Sequence, residues 1–226
     1  MKKLLQLLRW DTIFLIRYQL FTVSILVTGL YWLVFQGMKE IGGDALLMMV
    51  IYNDPILLGL IFGGLLLIMD RNQFTIAALA ATPLPMHLYI LSKLIVLSIL
   101  GVLLAFVLWW SIVGMPGNPF IFMVNILLIT AFCTLIGFII GLRETMFLRY
   151  MIQCVGALLV FAIPFLGYFE VVPNVFLIWM PLGMSLALHQ PDLSLLAILS
   201  CILGLLIWNG IAVYALYRKV KRYGWT

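Results

Sequence analysis

Charge is the scarcest feature of this sequence. Asp, Glu, Lys and Arg make up 9% of its 226 residues, while 65% are hydrophobic. A soluble domain carries about 25% charged residues. A chain this poor in charge cannot cover a surface facing water, which excludes a soluble globular fold and indicates an integral membrane protein. Cysteine is nearly as scarce. Cys133, Cys154 and Cys201 each fall inside an apolar run without paired spacing. That spacing offers neither a disulfide framework nor a thiolate metal site, and the three read as small buried hydrophobes. Also missing are GxxxxGK[ST], HExxH, CxxC and a Gly-rich dinucleotide turn. The expectation is therefore a non-enzyme that cannot hydrolyse ATP through a phosphate loop, with no metal or cofactor of its own. No nucleic-acid partner is expected. Lys2 and Lys3 precede an apolar stretch broken by Arg9 and Asp11, which makes a poor cleavable signal peptide.

Long uninterrupted apolar runs are what the chain does have. A membrane β-barrel alternates residue by residue, so continuous runs point to helices. Residues 1–17 read as an amphipathic helix. Lys2, Lys3, Gln6, Arg9 and Arg17 share one face, and Leu4, Leu5, Leu8, Phe14, Leu15 and Ile16 the other. Asp11 falls out of place on the apolar side. Such a helix suits the membrane interface, its basic face toward anionic headgroups.

Charges then delimit the spans. Between Arg17 and Lys39 lie 21 uncharged residues, enough for a first crossing. The second runs from about Leu46 to Met69 and is interrupted by Asn53-Asp54-Pro55. Between Leu94 and Leu142 lie 49 uncharged residues, split by the turn Gly114–Pro119 into crossings near 89–113 and 120–142. Residues 150–169 give a fifth and 193–217 a sixth. Residues 171–191 are uncharged but hold Pro173, Pro181 and Pro191.

Counting cations settles the topology. With six spans and both termini inside, Lys39 alone of the 13 Lys and Arg lies outside. A seventh span at 171–191 would send Arg218, Lys219, Lys221 and Arg222 outside. That stretch therefore reads as a re-entrant pair of short helices on the extracellular side. The expected fold is all-α and integral to the membrane, with an N-terminal interfacial elbow helix followed by six transmembrane helices. The whole chain, 1–226, forms one domain.

Asp70–Lys93 stands out against this background. It is too polar for lipid and, with Leu79, Leu84, Met86 and Tyr89, too apolar for an ordinary solvated loop. It reads either as a docking element for a soluble partner or as a connecting loop resting on headgroups. Thr82 is suited to cap a helix begun by Pro83 or Pro85. Asp54 is an ionisable group within a span, by default a functional residue. Followed by Pro55, it equally suits the N-cap of a helix. Trp179, Met180 and Met184 suit an apolar exit path or plain lipid-facing packing. Gly59 and Gly63 form a G-xxx-G seam for close helix approach. Ser185 with His189 faintly suggests a serine hydrolase, which requires the base within hydrogen-bond reach of the nucleophile.

Four stretches bring a family to mind: RWDTIFLIRYQLFTVSILVTGLYWLVF (9–35), YNDP (52–55), ALAATPLPMHLYILSK (78–93) and the short, largely uncharged spacing beyond. In these the chain resembles the six-span membrane subunit of type-2 ABC exporters, and is most similar to fluoroquinolone-export permeases. The resemblance implies a single permease domain in the cell membrane of a prokaryote, moving amphipathic or hydrophobic molecules outward by alternating access. It implies two copies of an ABC ATPase subunit, which bind Mg-ATP, and a second permease, identical or homologous. Residues 70–93 then correspond to the coupling segment, with Arg71, Leu79, Thr82, Pro83, Leu84, Met86, Tyr89 and Lys93 toward the ATPase. Arg143–Arg149 is a lesser contact. Tyr52, Asn53, Asp54, Trp179, Met180 and Met184 fall to the substrate pathway. The other reading is a stand-alone membrane immunity or assembly protein on the same scaffold.

Overall fold

The computed structural model describes residues 2–38, 44–73, 85–113, 118–168, 177–189 and 193–222. All regular structure in these stretches is helical. Leu79, Thr82, Pro83 and Leu84 lie outside the described residues, as do Pro173, Pro191 and most of the expected turns at 39–43 and 114–117. In chain order the helices are α1 (Lys2–Arg17), α2 (Leu20–Met38), α3 (Asp44–Leu57), a π-helical turn (Leu58–Phe62) and α4 (Gly63–Asn72). Then come α5 (Met86–Val113), α6 (Pro119–Gly141), α7 (Phe147–Tyr168), a 3₁₀ turn (Leu177–Trp179), α8 (Pro181–Ala187) and α9 (Leu195–Arg222). Five helical stretches are long and apolar enough to cross a membrane, or six if α1 and α2 form one bent span. The chain is a multi-pass membrane protein.

The bend between α1 and α2 is 63°. It is made at Gln19, whose φ of 58° lies in the left-handed region that interrupts a right-handed helix. The buried and half-buried positions of α1 are Leu4, Leu7, Leu8, Asp11, Phe14 and Leu15. That spacing of three and four puts Asp11 at the centre of the inward face. The inward stripe of α2 is partly polar, with Ser24 and Thr28 buried.

Helix α6 forms the core, packing against α3, the π turn, α4, α5, α7, α8 and α9. Its closest neighbour is the π turn with α4, and small residues explain the approach. A Cβ on Gly59 would stand 2.8 Å from the Thr130 carbonyl, and one on Gly63 2.9 Å from that of Thr134. From the other side, a Cβ on Gly141 would stand 2.8 Å from Gly64 Cα. The G-xxx-G seam therefore extends from Gly59 through Gly64 and meets Gly137 and Gly141 of α6.

Asp54 corrects one expectation. It does not cap a helix, because α3 runs on through Asp54 with Pro55 inside it. Pro55 has no N–H to give the preceding turn, and a π turn follows at once. Tyr150 of α7 is placed at this irregularity. Its hydroxyl donates to the carbonyls of Leu60 and Ile61 and accepts the Gly64 N–H at 3.1 Å. A neighbouring helix thus supplies partners to backbone groups at the π turn, as irregular backbone at membrane depth requires.

The two ends of the bundle differ. At one end, Arg71 reaches the carbonyls of Leu142 and Glu144, and Lys219 reaches that of Ile139. Lys93 and Arg143 belong to this same end. The other end carries Tyr52, Asn125, Ser185 and His189.

Candidate functional site

A buried ion cluster sits where α1, α4 and α5 meet. Lys93, 2% exposed, extends from α5 to Asp11 Oδ1 of α1 at 2.9 Å and to Asp70 Oδ2 of α4 at 2.8 Å. Neither carboxylate rests on the lysine alone. The Tyr89 hydroxyl donates to Asp70 Oδ2 at 2.5 Å, and Ser92 Oγ donates to Asp11 Oδ2. The Lys93 ammonium also lies 4.9 Å from the Tyr89 ring centroid and 5.6 Å from that of Phe14, within range of a cation–π attraction. A cavity of about 440 Å³ borders the cluster, walled by Trp10, Phe14, Arg17, Tyr18 and Gln73 among others.

Asp70 and Lys93 flank the segment singled out in the sequence. The helices entering and leaving residues 74–84 are therefore clamped to each other, and both are clamped to α1 through Asp11. Arg71 extends the clamp. Its guanidinium donates to the carbonyls of Leu142 and Glu144, both at 3.1 Å. The Glu144 carboxylate in turn accepts from Gln153 at 2.6 Å. The loop after α6 is thereby tied to the same body.

This geometry revises the roles expected of Tyr89 and Lys93. The resemblance places both toward a soluble partner. Tyr89 is 3% exposed and Lys93 2%, and their polar atoms are engaged inside the fold. They hold the base of the segment rather than offering a surface. Met86 remains half-buried. Asp11 is a site residue that the sequence signals only as a carboxylate on an apolar helix face.

At the opposite end a second polar cluster joins α3, α6 and α8. The Tyr52 hydroxyl lies 3.0 Å from the Ser185 carbonyl and 2.9 Å from His189 Nδ1. It accepts from Asn125 Nδ2 at 2.6 Å. Ser185 Oγ donates to Asn125 Oδ1 at 2.7 Å. His189 packs against the rings of Tyr52, Trp109 and Phe122 at centroid distances of 5.5, 5.3 and 5.4 Å. Ser185 and His189 thus meet Asn125 and Tyr52, respectively. Serine paired with asparagine lacks the base that a nucleophile needs, and the hydrolase reading lapses.

The remaining pathway residues disperse. Asp54, 4% exposed, accepts from Thr28 Oγ1 at 2.5 Å. Asn53 donates to the Tyr31 hydroxyl at 3.2 Å. These two side chains fasten α2 to α3. Met184 is buried with Leu128, Leu188 and Leu205. Trp179 is 72% exposed, and its carbonyl accepts from Trp208 Nε1 at 3.1 Å. Met180 is half-buried at the start of α8. Tyr52 alone of the set joins both α3 and the α8 region. Comparison with protein-family models, curated proteins and solved structures gives no match.

Proposed function

We propose that this chain is the membrane-spanning subunit of an ATP-driven ABC exporter, moving amphipathic or hydrophobic small molecules out of the cell. The chain has no phosphate loop, so the energy comes from a separate ATPase subunit, present in two copies and binding Mg-ATP. The observation that carries the reading is Lys93 bridging Asp70 and Asp11. A segment with partner-docking composition is flanked by residues locked to each other and to the first helix. Force applied to such a segment passes to α1, α4 and α5 together rather than dissipating in a loose loop.

In this account Leu79, Thr82, Pro83 and Leu84 meet the ATPase, and Arg143–Arg149 moves with them. Helix α1 lies along the inner interface as an elbow, and residues 171–191 form a re-entrant pair on the outer side. Both termini are cytoplasmic. Closing of the two ATPase subunits pushes the clamped body and reorients the spans against those of a second permease. Tyr52, joined to α8, lies where the outer end of the path would open.

The test is co-purification. Leu84→Asp places a carboxylate in the proposed apolar knob. Loss of the ATPase from the purified complex, with the membrane subunit still expressed, is expected. Full retention of the ATPase would overturn the placement of the contact. Isolation of the wild-type chain with no ATPase would favour the stand-alone immunity or assembly role.

A further inference from the structure

A second cavity, of about 450 Å³, lies between the first turns of α5 and the last turns of α9. Its wall is apolar, with Met86, Ile90, Leu94, Val213, Leu216 and Val220 prominent. Cations gather at one end. Lys221 lines the groove, and Arg218, Lys219 and Arg222 share its stretch of helix. Lys219 is turned toward the Ile139 carbonyl and Arg218 toward the Tyr214 ring. Lys221 and Arg222 are exposed, and among the described residues neither has a carboxylate partner. Helix α9 contains no acidic residue at all.

We infer that this groove is a binding site for an anionic phospholipid. One acyl chain lies along the apolar wall, and the phosphate meets Lys221 and Arg222. The argument is one of complementarity. Both walls belong to helices long and apolar enough to span a membrane, and the groove lies at their basic ends, where acyl chains and headgroups meet. A zwitterionic lipid satisfies the apolar wall equally well, but its own ammonium offsets its phosphate, so it brings no net negative charge to the two exposed cations. Basic residues at the end of a span attract anionic headgroups, and the attraction adds per cation. Neutral lipid around the bundle fills the wall without selecting a headgroup; the cations supply the selection. This site requires only the membrane setting and stands apart from the exporter reading.

Native mass spectrometry of the full chain tests it, using phosphatidylglycerol and phosphatidylcholine of equal chain length. The wild type is expected to retain phosphatidylglycerol with about 30-fold preference at low salt, the value two interfacial cations give. Lys221→Gln with Arg222→Gln should bring the ratio near unity. Both residues are exposed, so folding is not at stake. Val213→Trp fills the groove from an exposed position and should remove the retained lipid while leaving both cations in place. An unchanged preference in the double glutamine variant would overturn the proposal. So would a protein dimer that Val213→Trp dissociates without any headgroup dependence, since the groove would then seat a second copy.

Discussion

Replacing Lys93 by Met removes the cation that Asp11 and Asp70 share. The methionine stem still packs near Phe14 and Tyr89, so the loss is mainly electrostatic. Two ion pairs, at 2.9 and 2.8 Å, disappear. Two carboxylates remain, with side chains 13% and 5% exposed. Deleting one partner of a buried pair costs about 3–5 kcal/mol, because the stranded charge keeps its desolvation penalty. Asp11 recovers some hydration through its partial exposure. Asp70 recovers little and depends on the Tyr89 hydroxyl. For a chain of this size each kcal/mol moves the unfolding midpoint by about 2–4 °C, so Lys93→Met should lower it by about 6–20 °C. Thermal unfolding of the detergent-solubilised protein, followed by size-exclusion chromatography, reads this directly. Combining Lys93→Met with Asp11→Asn and Asp70→Asn strands no charge, and most of the loss should return. A single variant within about 2 °C of wild type, or a triple variant less stable than the single, would show that the cluster does not hold these helices through charge. The triple variant also separates stability from function. The proposed lever predicts that it folds and binds the ATPase yet couples ATP hydrolysis to transport poorly.

Tyr150→Phe leaves the carbonyls of Leu60 and Ile61 and the Gly64 N–H without their hydroxyl partner; a cost of about 1–3 kcal/mol should appear as a lower unfolding midpoint. Gly64→Ala drives a methyl group into the Tyr150 ring and the Gly137 carbonyl, and overpacking of this kind costs about 1–3 kcal/mol on the same assay. Thr28→Val removes the donor to buried Asp54, with a loss of about 1.5–3 kcal/mol. Asp54→Asn keeps an acceptor for Thr28 and should retain the fold; equal destabilisation by both changes would contradict the α2–α3 link.

The spans were legible because hydropathy and cation placement act locally. Charge alone placed helix ends near Arg17, Asp70 and Arg143; at Arg218 it did not, and α9 runs on to Arg222. The glycine seam was legible for the same reason, since Gly59 and Gly63 advertise a close approach whatever the partner. The ion cluster was hidden. Asp11 and Lys93 are separated by 82 positions, and neither residue carries a local sign of the other. Asp11 was noticed as an anomaly on an apolar face, which a buried cation explains. Asp-Pro misled for a related reason. In water it marks a helix start, but here Pro55 lies inside α3 and the Asp54 carboxylate is taken up by Thr28 of another helix. The aromatic surroundings of His189 come from α3, α5 and α6, so no single stretch of sequence announces them.

On the proposed function, the segment flanked by Asp70 and Lys93 delivers the work of a separate ATPase to the spans. A photo-crosslinking residue substituted for Thr82 in living cells reports what this segment touches. The expected product is a covalent adduct with a subunit that carries a phosphate loop and binds ATP. Adducts that contain no such subunit, or reaction of Thr82→Cys with a membrane-impermeant reagent added outside intact cells, would contradict it.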